Sequence, residues 1–137
     1  MVDLSQIGEE VYCPYCKQRT ILVDSSVIFN GKSYGLIYLC TRCKAYVGVH
    51  KGTTKPLGTP ASKKLRTLRI QVHTYLDELW SHSPNSKKSK NRKNTYKWLS
   101  EKMNIPKEKT HVGMFTESQC IEAIEILREE LISRNNI

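Results

Sequence analysis

Cys13-Pro14-Tyr15-Cys16 and Cys40-Thr41-Arg42-Cys43 decide the fold: they are two C-x-x-C pairs with twenty-three residues between them. Each pair is short enough to wrap a tight turn around one ion. Two such turns brought together offer four thiolates in a tetrahedron, the donor set that zinc prefers. A site closed by four protein ligands is structural, so one zinc ion on Cys13, Cys16, Cys40 and Cys43 is the expected cofactor. A redox dithiol needs a single C-x-x-C in a βαβ setting, and the second pair argues against it. Four thiolates around a dication leave two negative charges, which makes Lys17, Arg42 and Lys44 beside the pairs electrostatically sensible.

Between the pairs the chain alternates and is rich in β-branched and aromatic residues: Ile21 to Val23, Val27 to Phe29, and Tyr34 to Leu39. The step Asn30-Gly31 lies between the last two runs. Both central positions of a type I′ turn need positive φ, so this step predicts a hairpin there. Tyr46 to Val49 reads as one more strand leaving the second cysteine pair. A turn, a hairpin and a second turn make a zinc ribbon. A sheet this small has little else to hold it, so it should fail to fold without metal.

Outward from the ribbon, the chain totals 137 residues with a net charge of +9, 39% hydrophobic and 26% charged residues. That length excludes a large multidomain enzyme, and that composition excludes wholesale disorder. No apolar run is long enough for a membrane span, and the opening residues lack a signal-peptide profile. A cytoplasmic setting without membrane contact is expected, with the cysteines reduced or on metal. The charge is uneven. Residues 1–60 carry seven Lys and Arg against four acids, residues 61–110 carry thirteen against four, and residues 111–137 carry two against five. A basic block of this kind attracts polyanions, and it also keeps a small protein soluble.

From Ala61 to about Trp80, Leu65, Leu68, Val72, Tyr75, Leu76 and Leu79 recur at helical steps, with Thr59 as the expected cap and Pro60 in the first turn. Arg66, Arg69 and His73 follow a second line on the same helix, read as a basic ridge. Residues 81–94 contain no apolar side chain and carry Lys87, Lys88, Lys90, Arg92 and Lys93 without an acid, which predicts a flexible basic loop. A short helix through Tyr96, Leu99 and Met103 should end before Pro106. The last helix is framed by Thr116 and Gln119 as a capping box, with Phe115 placed to staple against Cys120. It should bury Cys120, Ile121, Ile124, Leu127, Leu131 and Ile132, which makes Cys120 an inert core thiol. The predicted fold is therefore α+β. A four-cysteine zinc ribbon with a small antiparallel sheet and strand extension occupies residues 1–60, and about three α-helices follow in residues 61–137, packed as one compact unit.

Tyr12 to Cys16, Tyr34 to Cys40, Cys43 to Gly52, Pro56 to Thr59, Leu65, Arg66, Arg69, His73, Trp80, Tyr96, Trp98, Leu99 and His111 to Phe115 together resemble a family of small zinc-finger-containing proteins encoded mostly by bacteriophages and prophages. The resemblance covers most of the chain. It implies a zinc-ribbon start and a bacteriophage setting, hence the cytoplasm of a bacterial host, and it implies no activity. Where that family pattern carries Asn before Leu-Arg, this chain has Ser62.

Three functions fit these residues. Localised charge favours a zinc-stabilised, nucleic-acid-binding accessory protein that contacts DNA or RNA through Arg66, Arg69, Lys87, Lys88, Lys90, Arg92 and Lys93. The alternative is a protein-interaction module that docks on a host replication, transcription or defence protein. The third is a degenerate His-Asn-His-like nuclease using His50 and His73, but Ser62 stands where the orienting Asn would be and no second metal ligand lies beside His50. No phosphate-binding loop or nucleophile elbow occurs, and no residue is assigned as catalytic. Oligomeric state and sequence preference stay open.

Overall fold

Three short strands form on the runs of apolar, β-branched and aromatic residues: β1 over Ile21–Asp24, β2 over Leu36–Leu39 and β3 over Tyr46–Gly48. In the computed structural model, which describes residues 1–135, they make one antiparallel sheet in the order β1-β2-β3. The register pairs Leu22 with Tyr38 and Tyr38 with Val47, while Ile21 pairs with Leu39 and Leu39 with Tyr46. Because side chains alternate between faces, this register sorts the apolar residues into two sets. Leu22 and Tyr38 are buried with Val11 on one face, and Val23, Ile37 and Leu39 are buried on the other. The Tyr38 hydroxyl accepts from the Glu9 N–H at 2.9 Å and donates to the Thr54 carbonyl, so this buried polar tip is satisfied.

The hairpin differs from its expectation. Val27 to Phe29 form no strand: a 3-10 turn spans Ser25–Val27 and the chain keeps turning through residues 28–31. Asn30 and Gly31 do take positive φ, at 53° and 85°, but inside the long connection from β1 to β2. The Asp24 carboxylate explains why the strand stops there. It accepts from the Ser26 N–H at 2.8 Å and the Ser33 hydroxyl at 2.9 Å, and these bonds hold it below its ordinary pKa.

Three helices follow: α1 over Lys63–Trp80, α2 over Lys88–Met103 and α3 over Glu117–Asn135. The first starts later than expected, since Ala61 is bridged to Tyr46 and so cannot belong to it; Thr59 and Pro60 lie outside it. The stretch 81–94 is corrected more deeply. Only residues 81–84 are irregular, a 3-10 turn covers Asn85–Lys87, and α2 takes in Lys88, Lys90, Arg92 and Lys93. Lys and Arg are good helix formers, and the exposed Arg92 leans onto neighbouring aromatic rings. Its guanidinium lies 5.1 Å from the Tyr96 ring centre and 5.8 Å from that of Trp80. Past Met103, Asn104 takes a left-handed φ of 55°, and Asn104 and Ile105 donate back to Glu101 and Ser100, closing the helix before Pro106.

The third helix begins on the expected capping box. The Thr116 N–H donates to Gln119 Oε1 at 2.9 Å and the Gln119 N–H to Thr116 Oγ1 at 3.2 Å. Phe115, Cys120, Ala123 and Leu127 are fully buried, whereas Ile121 and Ile132, expected in the core, are 48% and 54% exposed. The chain divides into two compact units, residues 1–64 and residues 65 onward. Among the described residues, no helix is long and apolar enough to cross a membrane.

Candidate metal centre and nucleic-acid interface

The two cysteine turns share the same pair of backbone bonds. Lys17 N–H donates to the Cys13 carbonyl at 2.9 Å and Cys13 N–H to Gln18, and in the second turn Lys44 N–H donates to Cys40 at 2.8 Å and Cys40 N–H to Ala45. Each turn closes on a lysine with left-handed φ, 65° at Lys17 and 62° at Lys44. Side chains seldom accept that conformation, so its cost is offset by whatever the turn holds. The tight turns point all four sulfurs inward: those of Cys13, Cys16, Cys40 and Cys43 lie within 4.8 Å of one another, with Cys16 and Cys40 at 3.6 Å.

That spacing fits the ion. Zn–S bonds of about 2.3 Å in a tetrahedron place sulfurs about 3.8 Å apart. Cys13 and Cys40 are buried, and the Cys43 N–H donates to Cys40 Sγ at 3.3 Å. Burial opposes ionisation of Cys40, but this N–H and the Cys16 thiol outweigh it and bring the thiol down to about 7. Cys43 is pushed up to about 12, by burial first and then by the neighbouring thiols. One thiolate thus forms readily and the cluster holds back another, a frustration that a dication at the centre removes. The four cysteines form a site for one zinc ion.

The model of a zinc-finger-containing domain family matches residues 9–130. The chain belongs to that family. Neither the curated proteins nor the solved structures compared with it gave a match. The matched span takes in both compact units, so a zinc-finger-containing domain of this kind is more than its cysteine ribbon. Among its described residues the four cysteines are the one group of three or more Cys, His, Asp and Glu side chains close enough to share an ion.

The basic residues expected at the interface differ in exposure. Arg69 is 9% exposed and donates from Nε and Nη2 to the Phe115 carbonyl at 3.2 and 2.8 Å, which takes it out of the expected ridge. Its apolar neighbours on α1 gave no hint that a helix-facing carbonyl needed a donor. Arg66 is half-buried. On α2, Arg92 leans onto Trp80 and Tyr96, Lys88 is half-buried, and Lys90 and Lys93 are exposed, as is Lys87 just ahead. Lys97 was missed. It is exposed and sits one helical step beyond Lys90 and Lys93, a relation visible only once the helix is known to start at Lys88.

Among the described residues no histidine joins the four-cysteine group. His50 is exposed, and its backbone, not its ring, fastens the following loop, accepting from Thr53 and donating to Lys55. Burial lowers the His73 pKa, with Asp77 opposing and Arg92 adding to the effect. Cys120 is fully buried and its thiol is raised by that burial.

Proposed function

We propose that this zinc-finger-containing domain is a nucleic-acid-binding accessory protein, encoded by a bacteriophage or prophage and working in the cytoplasm of its bacterial host. The outward face of α2 carries the reading. Lys90, Lys93 and Lys97 recur at three- and four-residue steps, all three exposed, and Lys87 precedes them. The sixteen residues of α2 hold six Lys and Arg against the single acid Glu101. A rigid cationic stripe meets phosphates without paying the ordering cost that a loose loop would. Phosphate contacts carry no base information, so affinity should vary little with sequence.

The test is a titration of the zinc-loaded chain with labelled single- and double-stranded DNA and RNA at two salt concentrations. Three or four phosphate contacts give a log affinity against log salt slope of about −3 on duplex DNA. Replacing Lys90, Lys93 and Lys97 together with Gln should flatten that slope by about 2 to 3 while the fold persists. No binding by the parent near ~50 mM salt would end this reading. A host-protein docking module would then lead, and it has its own support: Ile70, Met114, Ile121 and Ile132 all stand more than 45% exposed in the helical unit.

A further inference from the structure

A cleft of about 820 Å³ opens in the unit of residues 1–64, between the connection from β1 to β2, the sheet, and the loop after β3. Its walls come from Phe29, Tyr34, Tyr46 and Leu57, with Gly48 on the sheet. The rings are set edge to face: Phe29 to Tyr34 at 5.2 Å and 80°, Phe29 to Tyr46 at 6.1 Å and 88°. Core packing explains Tyr46, which is half-buried against Val23, Ile37 and Leu39, but not the others: Tyr34 is 67% exposed, Leu57 54% and Phe29 37%. Apolar and aromatic surface left in water around a concavity of this size marks a binding site.

Charge selects the occupant. Lys51 is the only charged residue among those lining the cleft, and Lys32 Nζ lies 5.6 Å over the Tyr34 ring, while no acid lines it. An apolar peptide side chain would use the rings and leave both lysines without anions. A nucleotide presents a flat π face and a phosphate together, and stacking on aromatic rings beside cations is how unpaired bases are held. A paired base is hidden in its stack and cannot enter. We propose that this cleft takes an unpaired base of a single-stranded nucleic acid, stacked on Tyr34 and Phe29 with Lys32 and Lys51 on the flanking phosphates. The inference rests on the nucleic-acid-binding reading above and adds a preference that the α2 stripe does not supply.

The experiment uses the full zinc-loaded chain, a labelled oligothymidylate and a labelled duplex. Tyr34→Ala should weaken oligothymidylate binding by roughly 5- to 150-fold, the worth of one base-aromatic stack, and leave duplex binding and zinc content unchanged. Tyr34→Phe should stay within about twofold of the parent, because the ring and not the hydroxyl stacks. In the unsubstituted chain, ring resonances of Tyr34 and Phe29 should shift when oligothymidylate is added. The cleft proposal is overturned, with the α2 reading intact, if the parent binds duplex while Tyr34→Ala leaves oligothymidylate affinity unmoved, or if the rings do not shift. Equal weakening on both probes also overturns it. A parent that binds neither probe removes the underlying reading and the cleft proposal together.

Discussion

The two compact units hold their shape by different means. Among the described residues of 1–64, one buried group is the thiol cluster itself, Cys13 and Cys40 with Ala45, beside small apolar groups around Tyr38 and Val23. From residue 65 onward the interior is an ordinary helical core of Leu65, Val72, Leu76, Leu99, Phe115 and Leu127, with Cys120 buried among the apolar residues and far from any ligand role. The same residue type is thus a staple in one unit and a filler in the other. What separates them is spacing: two thiols three residues apart can share an ion, and a single thiol on a helix face cannot. The first unit trades hydrophobic area for metal-ligand bonds, and the second depends on buried area together with hydrogen bonds such as those from Arg69 to the Phe115 carbonyl.

Metal removal should break the comparison most visibly. Apparent zinc-binding energies of such sites are about 10 to 16 kcal/mol, more than the stability of a whole small domain. Cys13→Ser, or chelation of the parent, should abolish bound zinc in metal analysis and collapse the dispersed amide resonances of β1, β2 and β3. Helical circular dichroism from α1, α2 and α3 should persist. Sheet resonances that survive quantitative chelation would show that the apolar groups around Tyr38 and Val23 suffice without the ion.

Arg69 is the next test, and it probes the helical unit. Arg69→Ala leaves the Phe115 carbonyl without two donors, which costs about 1 to 3 kcal/mol when the acceptor is buried. Thermal unfolding of the helices should report that loss, with zinc content unchanged. The salt slope of nucleic-acid binding should also stay put, because this guanidinium faces the interior. A flattened slope without destabilisation would return Arg69 to the surface ridge.

How much of this was legible follows the same divide. The cysteine cluster could be read because ligand spacing is itself geometry, and the α3 cap because Thr116 and Gln119 meet across one turn. The strands could be read from the short apolar, β-branched and aromatic runs at Ile21 to Val23 and Leu36 to Leu39. The first half of α2 could not, since no apolar residue precedes Tyr96 to mark a helical period. Arg69 failed for a related reason: a cation on a helix looks solvated until its carbonyl partner, forty-six residues away, is known. The cleft of Phe29, Tyr46 and Leu57 joins three separate loops and strands, and no local pattern announces it.

The smallest expected effect sharpens the comparison furthest. Thr116→Ala removes the hydroxyl that accepts from the Gln119 N–H, an N-cap loss worth about 1 kcal/mol. The reciprocal bond from the Thr116 N–H to Gln119 Oε1 uses the backbone and survives the substitution, so the loss should fall near the centre of the N-cap range. The decisive measurement is that loss taken twice by denaturant unfolding of the helices, once with zinc bound and once after chelation. Effects in units that fold independently add within about 0.3 to 0.5 kcal/mol, so independent units should give two values that agree within that margin. A penalty that disappears on chelation would mean that the helical core needs the metal-held unit in order to fold. In that case the division at residues 64 and 65 is one of geometry and not of stability.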